Sequence, residues 1–203
     1  MAKDSSPATT AAAGSRDNTP VVLTGSADGT VTYGNDSVTV DASHTEEGYL
    51  MVSYSGSNSK VKLQITGSDE ITYTYNLHDG YETFPLTSGS GSYTVGVFEN
   101  IEGTSYSTLF TQAIDVTIQD EFGPYLYANQ YVNFSADSKV ISKAMELSAS
   151  ANDDLEVIEN VYNYIITNFT YDYDKAASVQ SGYLPDVCLL YTSPSPRDRQ
   201  KSR

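Results

Sequence analysis

VKLQITG, residues 61–67, sets Val61, Leu63 and Ile65 on one side of an extended chain and Lys62 and Gln64 on the other. Side chains of a β-strand alternate between two faces, so this period of two predicts a strand with one apolar face and one wet face. The same pattern recurs in GYLMVSYSG (48–56), EITYTYNL (70–77), GSYTVGVFEN (91–100) and QAIDVTIQD (112–120). All are rich in the β-branched and aromatic residues that suit a pleated, half-buried surface. Between them lie SADG (26–29), GSNS (56–59), HDGY (78–81) and SGSGS (88–92). Gly, Asn, Asp and Ser are the residues that turns require.

About 100 residues, 20–120, therefore read as seven to nine short strands joined by turns, the size of an immunoglobulin-like β-sandwich. The disulfide and tryptophan of antibody domains are absent, since the chain has one Cys and no Trp. TGSADGTVTY (24–33) and TGSDEITYTY (66–75) echo one another, but nothing recurs at that period afterwards, and the echo reads as shared turn chemistry.

The period changes after Asp120. EFGPYLYANQYVNF (121–134) is an aromatic connector in which Pro124 interrupts any strand. SADSKVISKAMELSASA (135–151) predicts a helix with Ser135 or Asp137 as cap. ANDDLEVIENVYNYIITNF (151–169) predicts a stronger one. Leu155, Ile158, Tyr162, Ile165 and Phe169 share a stripe that Val161 and Ile166 widen, while Asp153, Asp154 and Glu156 stand where the helix dipole favours anions. So few residues bury too little surface to stand alone, so part of that stripe is expected to lie uncovered.

Net charge of −15 and a pI near 4.2 exclude nucleic acid and anionic membrane surfaces as partners, because phosphate binding needs a basic face. No run of 18 apolar residues suggests membrane insertion. Residues 1–19 are a polar Ala/Ser/Thr-rich stretch, expected to be a disordered tether without the apolar core of a secretory signal.

DDLEVIENVYNYIITNFTYDYDKAASVQSGYLPDV (153–187) resembles the opening of a bacterial transglutaminase-like domain, where an amphipathic helix ends in a Tyr-rich element ahead of the catalytic helix. With a β-rich region before it, the layout is also similar to that of secreted or cell-surface proteins of this superfamily. The resemblance implies that residues 135–187 begin an incomplete α+β domain. It further implies a cysteine acyl-transfer or protease-like enzyme acting on a protein or peptidoglycan-type substrate outside the cell, with the sandwich as an accessory module. In that family the nucleophile sits in a Gly-x-Cys context, with a His and an Asp further on. None of these carries over: there is no Gly-x-Cys, and both histidines, His44 and His78, precede the helix. As turn residues of the β-region they are expected to be exposed rather than catalytic.

Cys188 stands in PDVCLLYTSPSP, where Pro194 and Pro196 preclude a helix whose amino end would stabilise a thiolate. CLLYTSPSPRD (188–198) matches the in-frame translation of a transposase-type sequencing-library adapter, and four of the 11 basic residues (Arg197, Arg199, Lys201 and Arg203) crowd into the last seven positions. Residues 188–203 are accordingly expected to be non-native, and no residue of the chain is assigned a catalytic, cofactor-binding or metal-binding role.

Lesser constellations read as structural. Asp172 and Asp174 in YDYD, Asn152 to Asp154, and Asp41 to Glu47 carry the oxygen ligands calcium prefers, yet without an Asp-x-Asp-x-Asp-Gly loop they read as caps and solvated groups. Asn35, Asn133 and Asn168 match glycosylation sequons, and the 17 tyrosines suit cross-strand packing. Two functions emerge: part of a surface transglutaminase-like protein, itself lacking the catalytic residues, or a non-catalytic β-sandwich that binds glycan or protein at a surface.

Overall fold

A computed structural model describes residues 14–180 and 183–184 of the chain, and Cys188 with the rest of 188–203 lies outside them. The fold is mainly β. Residues 22–135 form one compact unit; residues 136–179, with 14–21, form another.

The first unit contains eight strands in two antiparallel sheets. In one, β1 (Thr32–Gly34), β2 (Val38–Asp41), β3 (Tyr49–Tyr54) and β6 (Gly80–Pro85) lie in the order β1-β2-β3-β6. In the other, β4 (Val61–Thr66), β5 (Thr72–Leu77), β7 (Gly91–Glu102) and β8 (Ser105–Val116) lie in the order β5-β4-β7-β8. The stretch VKLQIT is β4, with Leu63 opposite Tyr75 on one side and Val97 on the other, and Ile65 opposite Tyr73 and Val95. Val61, Leu63 and Ile65 are buried as their alternation requires, while Lys62, Gln64 and Thr66 are only half-buried.

Both sheets contribute to one apolar core: Val38, Val40, Leu50, Val52 and Phe84 from the first, and Leu63, Tyr75, Val95, Val97 and Ile114 from the second. The ring of Tyr75 meets Phe84 edge-on at 4.9 Å, joining one sheet to the other. Tyr93, at the start of β7, is buried and its hydroxyl donates to the carbonyl of Gly89 at 2.8 Å. That bond pins the turn between β6 and β7 to the core and satisfies a phenol that burial would otherwise leave costly.

β3 is buried on nearly its whole length, on both faces. Leu50 and Val52 face the core; the outer face, with Tyr49, is covered by chain from outside the sheets. Leu23 bridges Tyr127, and Ala128 N–H donates to Leu23 O at 3.2 Å. Gly25 passes so close over β6 and β3 that a Cβ there would lie 2.4 Å from Thr83 Oγ1 and 3.2 Å from Tyr49 Cε2. The 3-10 turn Thr45–Glu47 ends at Gly48, whose φ of 90° and whose contact with Pro124 both require the absence of a side chain. Residues 23–29, 42–48 and 123–128 thus form a collar around one end of this unit.

The second unit contains α1 (Lys139–Ser148), α2 (Asp154–Asn168) and α3 (Tyr173–Ser178). α1 starts later than Ser135 or Asp137 would place it; Ser138, extended and of the same capping chemistry, precedes its first residue. Asp153 caps α2 by accepting from Glu156 N–H at 2.9 Å, and the Glu156 carboxylate reaches back to Asn152 N–H at 2.7 Å. These reciprocal bonds satisfy donors that the first turn leaves over. Residues 14–18 are held to the α1–α2 corner: Arg16 Nε lies 2.6 Å from Asp154, and Asn18 Nδ2 donates to Ser148 O at 2.7 Å.

Of the stripe expected on α2, Val161 and Phe169 are half-buried, and the part through Leu155, Ile158 and Ile165 lies uncovered, as so small a unit was expected to leave it. Asn160 Nδ2 donates to Leu147 O at 3.0 Å and Lys143 Nζ sits 5.2 Å from the Tyr164 ring centre, so Val157, Asn160, Val161 and Tyr164 face α1. Leu155 (72% exposed), Ile158 (63%), Tyr162, Ile165 and Ile166 are left exposed.

Two substitutions test the packing of the two-sheet unit by urea denaturation of the chain. Leu63→Ala is expected to lose about 2–5 kcal/mol, as for a large apolar side chain removed from a packed interior. Tyr93→Phe is expected to lose about 1 kcal/mol, the worth of one buried hydrogen bond. Equal stability of Leu63→Ala and wild type would remove β4 from the core.

Candidate functional site

The collar gathers the polar groups with most capacity for chemistry. Asp41 ends β2 and is buried; its carboxylate accepts from Ser43 N–H at 2.9 Å and Gly29 N–H at 2.7 Å. Burial pushes its pKa up, but those hydrogen bonds and the nearby His44 outweigh it and hold the carboxyl below its ordinary value. The turn that follows presents His44, whose ring stacks on Tyr49 at 5.3 Å.

His44 is not the exposed turn residue that its sequence context predicts. Its side chain is 19% exposed, because residues 23–29 close over it. Nδ1 lies 3.2 Å from Glu47 Oε1, and Nε2 lies 2.9 Å from Asp28 Oδ2 and 3.2 Å from Ser26 Oγ. Burial alone would lower the imidazole pKa, and the hydrogen bonds to Glu47 and Asp28, with their charges, reverse this and raise it. Tyr127 donates a short hydrogen bond to Glu47 Oε2. That bond is the largest influence on Glu47, whose pKa is lowered; the Tyr127 phenol in turn is pushed up by burial and by the carboxylate.

Ser26, His44 and Glu47 stand in the order of a hydrolytic triad, hydroxyl to imidazole to carboxylate. Asp28 defeats that chemistry. A general base must offer Nε2 as an acceptor to the hydroxyl. In this cluster the same nitrogen faces a carboxylate at 2.9 Å, which favours the protonated ring. Carboxylates at both ring nitrogens favour the charged ring, which has no acceptor to offer Ser26, and no spacing in the sequence discloses this grouping.

Beside it lies an open hollow of about 600 Å³, lined by Thr87, Ser90, Ile118, Gln119, Asp120 and Glu121 among others. Ser90 Oγ accepts from Ile118 N–H and Asp120 Oδ1 from Phe122 N–H. Gln119 ties the hollow to the collar, its side chain donating to Glu46 Oε2 at 2.7 Å. Phe122 (63% exposed) and Tyr125 (67%) follow directly in the chain, and Tyr125 is near enough to Tyr93 to influence its titration. The hollow thus offers hydroxyl, amide and carboxylate groups, and the exposed aromatic rings belong to the stretch of chain that follows Glu121.

The remaining candidates are dispersed. His78 pairs with Glu82 at 3.1 Å on a half-exposed turn. Asp172 caps α3, accepting from Lys175 N–H at 2.8 Å, and Asp174 lies in that helix's first turn. Among the described residues no group of three His, Cys, Asp or Glu is arranged to hold a metal ion. Asn35 shapes the β1–β2 turn by accepting from Ser37 and Val38 N–H, and Asn168 Nδ2 donates to Tyr164 O. No helix among the described residues is long and apolar enough to cross a membrane.

Comparison with protein-family models, with curated proteins and with solved structures gives no match for this chain.

Replacing the Tyr127 hydroxyl tests the collar's electrostatics. Because Glu47 has a lowered pKa, the stability it contributes is complete above its unfolded value and is lost as pH falls through the folded one. In Tyr127→Phe the Glu47 carboxyl should titrate at higher pH than in wild type, followed by its side-chain carboxyl 13C shift. An unchanged midpoint would mean that the tyrosine does not hold the charge.

Proposed function

We propose that residues 22–135 are an immunoglobulin-like recognition module of a cell-surface protein, and that the helical unit belongs to a transglutaminase-like domain of that protein. The observation that carries the first part is the strand order. The chain passes from one sheet to the other after β3, returns after β5, crosses again after β6, and closes with the β7–β8 hairpin. Immunoglobulin-like sandwiches are wound in this Greek-key manner. Tyr93, donating to a carbonyl four residues upstream at the turn before β7, supports the same reading, for such domains carry a tyrosine corner of this kind.

A binding role for the module is supported by the hollow, with its hydroxyl, amide and carboxylate lining, and by the exposed rings of Phe122 and Tyr125 in the stretch of chain that follows Glu121. Saccharides and peptides are held by hydroxyl, amide and carboxylate groups set beside an apolar ring. The acidic surface turns away anionic ligands and leaves neutral glycan, cationic peptide or peptidoglycan-type polymer as the natural class. The transglutaminase-like reading rests on the capped helix α2 leading into the Tyr-rich element, where Tyr171 packs edge-on at 4.7 Å against Tyr173, the first residue of α3. In this reading the module brings a cysteine acyl-transfer enzyme to its polymer, and the residues up to Val187 supply no nucleophile of their own.

Two measurements test it. Long-read sequencing of the genomic locus should show a frame that continues from Val187 into a Gly-x-Cys helix and then a His and an Asp; a frame lacking them overturns the transglutaminase-like part. The purified chain should bind on a glycan or cell-wall-polymer array, at least several-fold more weakly after Tyr125→Ala, and should show no thiol-dependent amide turnover. Turnover abolished by Cys188→Ala would overturn the assignment of that residue to a non-native tail.

A further inference from the structure

We propose that His44 is a proton-operated clasp, which fastens residues 26–29 to the end of the two-sheet unit while the imidazole is charged and loosens them when it is neutral.

The geometry decides which state is held. Nδ1 faces Glu47 at 3.2 Å and Nε2 faces Asp28 at 2.9 Å. Both ring nitrogens donate only in the imidazolium; a neutral ring keeps one N–H and turns a lone pair toward the other carboxylate. Glu47 belongs to the same turn as His44 and is further held by Tyr127, so it keeps its N–H when the proton leaves. The ion pair with Asp28, which comes from a separate stretch of chain, is the interaction that gives way. Ser26 Oγ, 3.2 Å from Nε2, is then the natural replacement, since a hydroxyl can donate to the bare nitrogen. Deprotonation exchanges an ion pair for a neutral hydrogen bond two residues earlier.

Every element packed on the ring takes part. Residues 23–29 supply Asp28 and Ser26, the end of β2 supplies the charge of Asp41, and the turn supplies Glu47. β3 supplies the stacked Tyr49, whose hydroxyl accepts from Ser26 N–H at 3.3 Å. The connector after β8 supplies Tyr127. His44 is the cation these carboxylates share, so loss of its proton leaves Asp28 facing Glu47 without that compensation.

Linkage sets the sign. His44 in the folded chain has a raised pKa, so its contribution is complete below the unfolded value of 6.5 and disappears as pH rises through the folded value. The clasp is closed in mildly acidic solution and open on the alkaline side. Because Asp28 is half exposed, its pairing is of the size of a surface ion pair.

Hydrogen exchange of the full chain, as protection factors between pH 5.5 and 8.5, reads this directly, with the His44 midpoint from its ring-proton NMR shifts. Protection of the amides of Gly29 and Thr30, which donate to Asp41 Oδ2 and Ser43 Oγ, should fall about two- to fivefold across the range in wild type as the segment that carries them loosens. It should stay flat in Asp28→Asn, in which the His44 midpoint also moves down, and in His44→Gln. Ser26→Ala should deepen the wild-type fall by removing the neutral partner. Constant protection in wild type, an equal fall in Asp28→Asn, or a His44 midpoint at or below 6.5 would each overturn the clasp.

Discussion

Burial of Val61, Leu63 and Ile65 along β4 fixes the rest of the two-sheet unit. A strand has two faces, and a shift of one residue would send all three side chains into water and bring Lys62 and Gln64 inside, so the register against β5 and β7 admits no slip. With β4 placed, Tyr75 and Val95 are carried to the same face, and Tyr75 reaches Phe84 of the opposite sheet. Each fully buried aliphatic side chain contributes about 1.5–3 kcal/mol relative to exposure. Single hydrogen bonds such as that of Tyr93 refine an arrangement that apolar burial has already chosen.

How far the sequence discloses this depends on where the deciding contacts lie. β4, β5 and β7 are legible because alternation is local and their turns carry Gly, Ser and Asp. β6 is less so: Gly80 and Pro85 bound it, and its apolar content is small without its partner β3. α2 shows the limit most clearly. It has two apolar stripes, one through Leu155, Ile158 and Ile165 and one through Val157, Val161 and Tyr164; the second packs because α1 offers Leu147 and Lys143 to it. Periodicity measures amphipathic character and does not identify the partner.

The collar is illegible in the sequence for a related reason. Ser26, Asp28, His44, Glu47 and Tyr127 are scattered over about a hundred residues and meet only because Gly25 and Gly48 allow backbones to approach within reach of side chains. His44 in ASHTEEG reads as a solvated turn residue until the chain before it folds over the ring. Tyr93 is legible in principle, as a tyrosine a few residues after a Gly/Ser turn at the head of a strand, but its meaning depends on recognising that strand as the first of the closing hairpin.

β8 has a neighbour on one side only among the described residues, and it is twelve residues long. A long row of amides and carbonyls with no strand beside it, in which side chains of Asn35 and Gln112 reach the carbonyls of Leu109 and Ala113, is a template on which another extended chain can add. The register of the β7–β8 hairpin shifts at Val97/Phe98 and again at Asn100/Glu102, and each irregularity bends the strand and increases its twist. An incoming straight strand would therefore stay in register with β8 for only part of its length, so the same bulges that shape the closing hairpin also limit how far edge-to-edge addition can run along it.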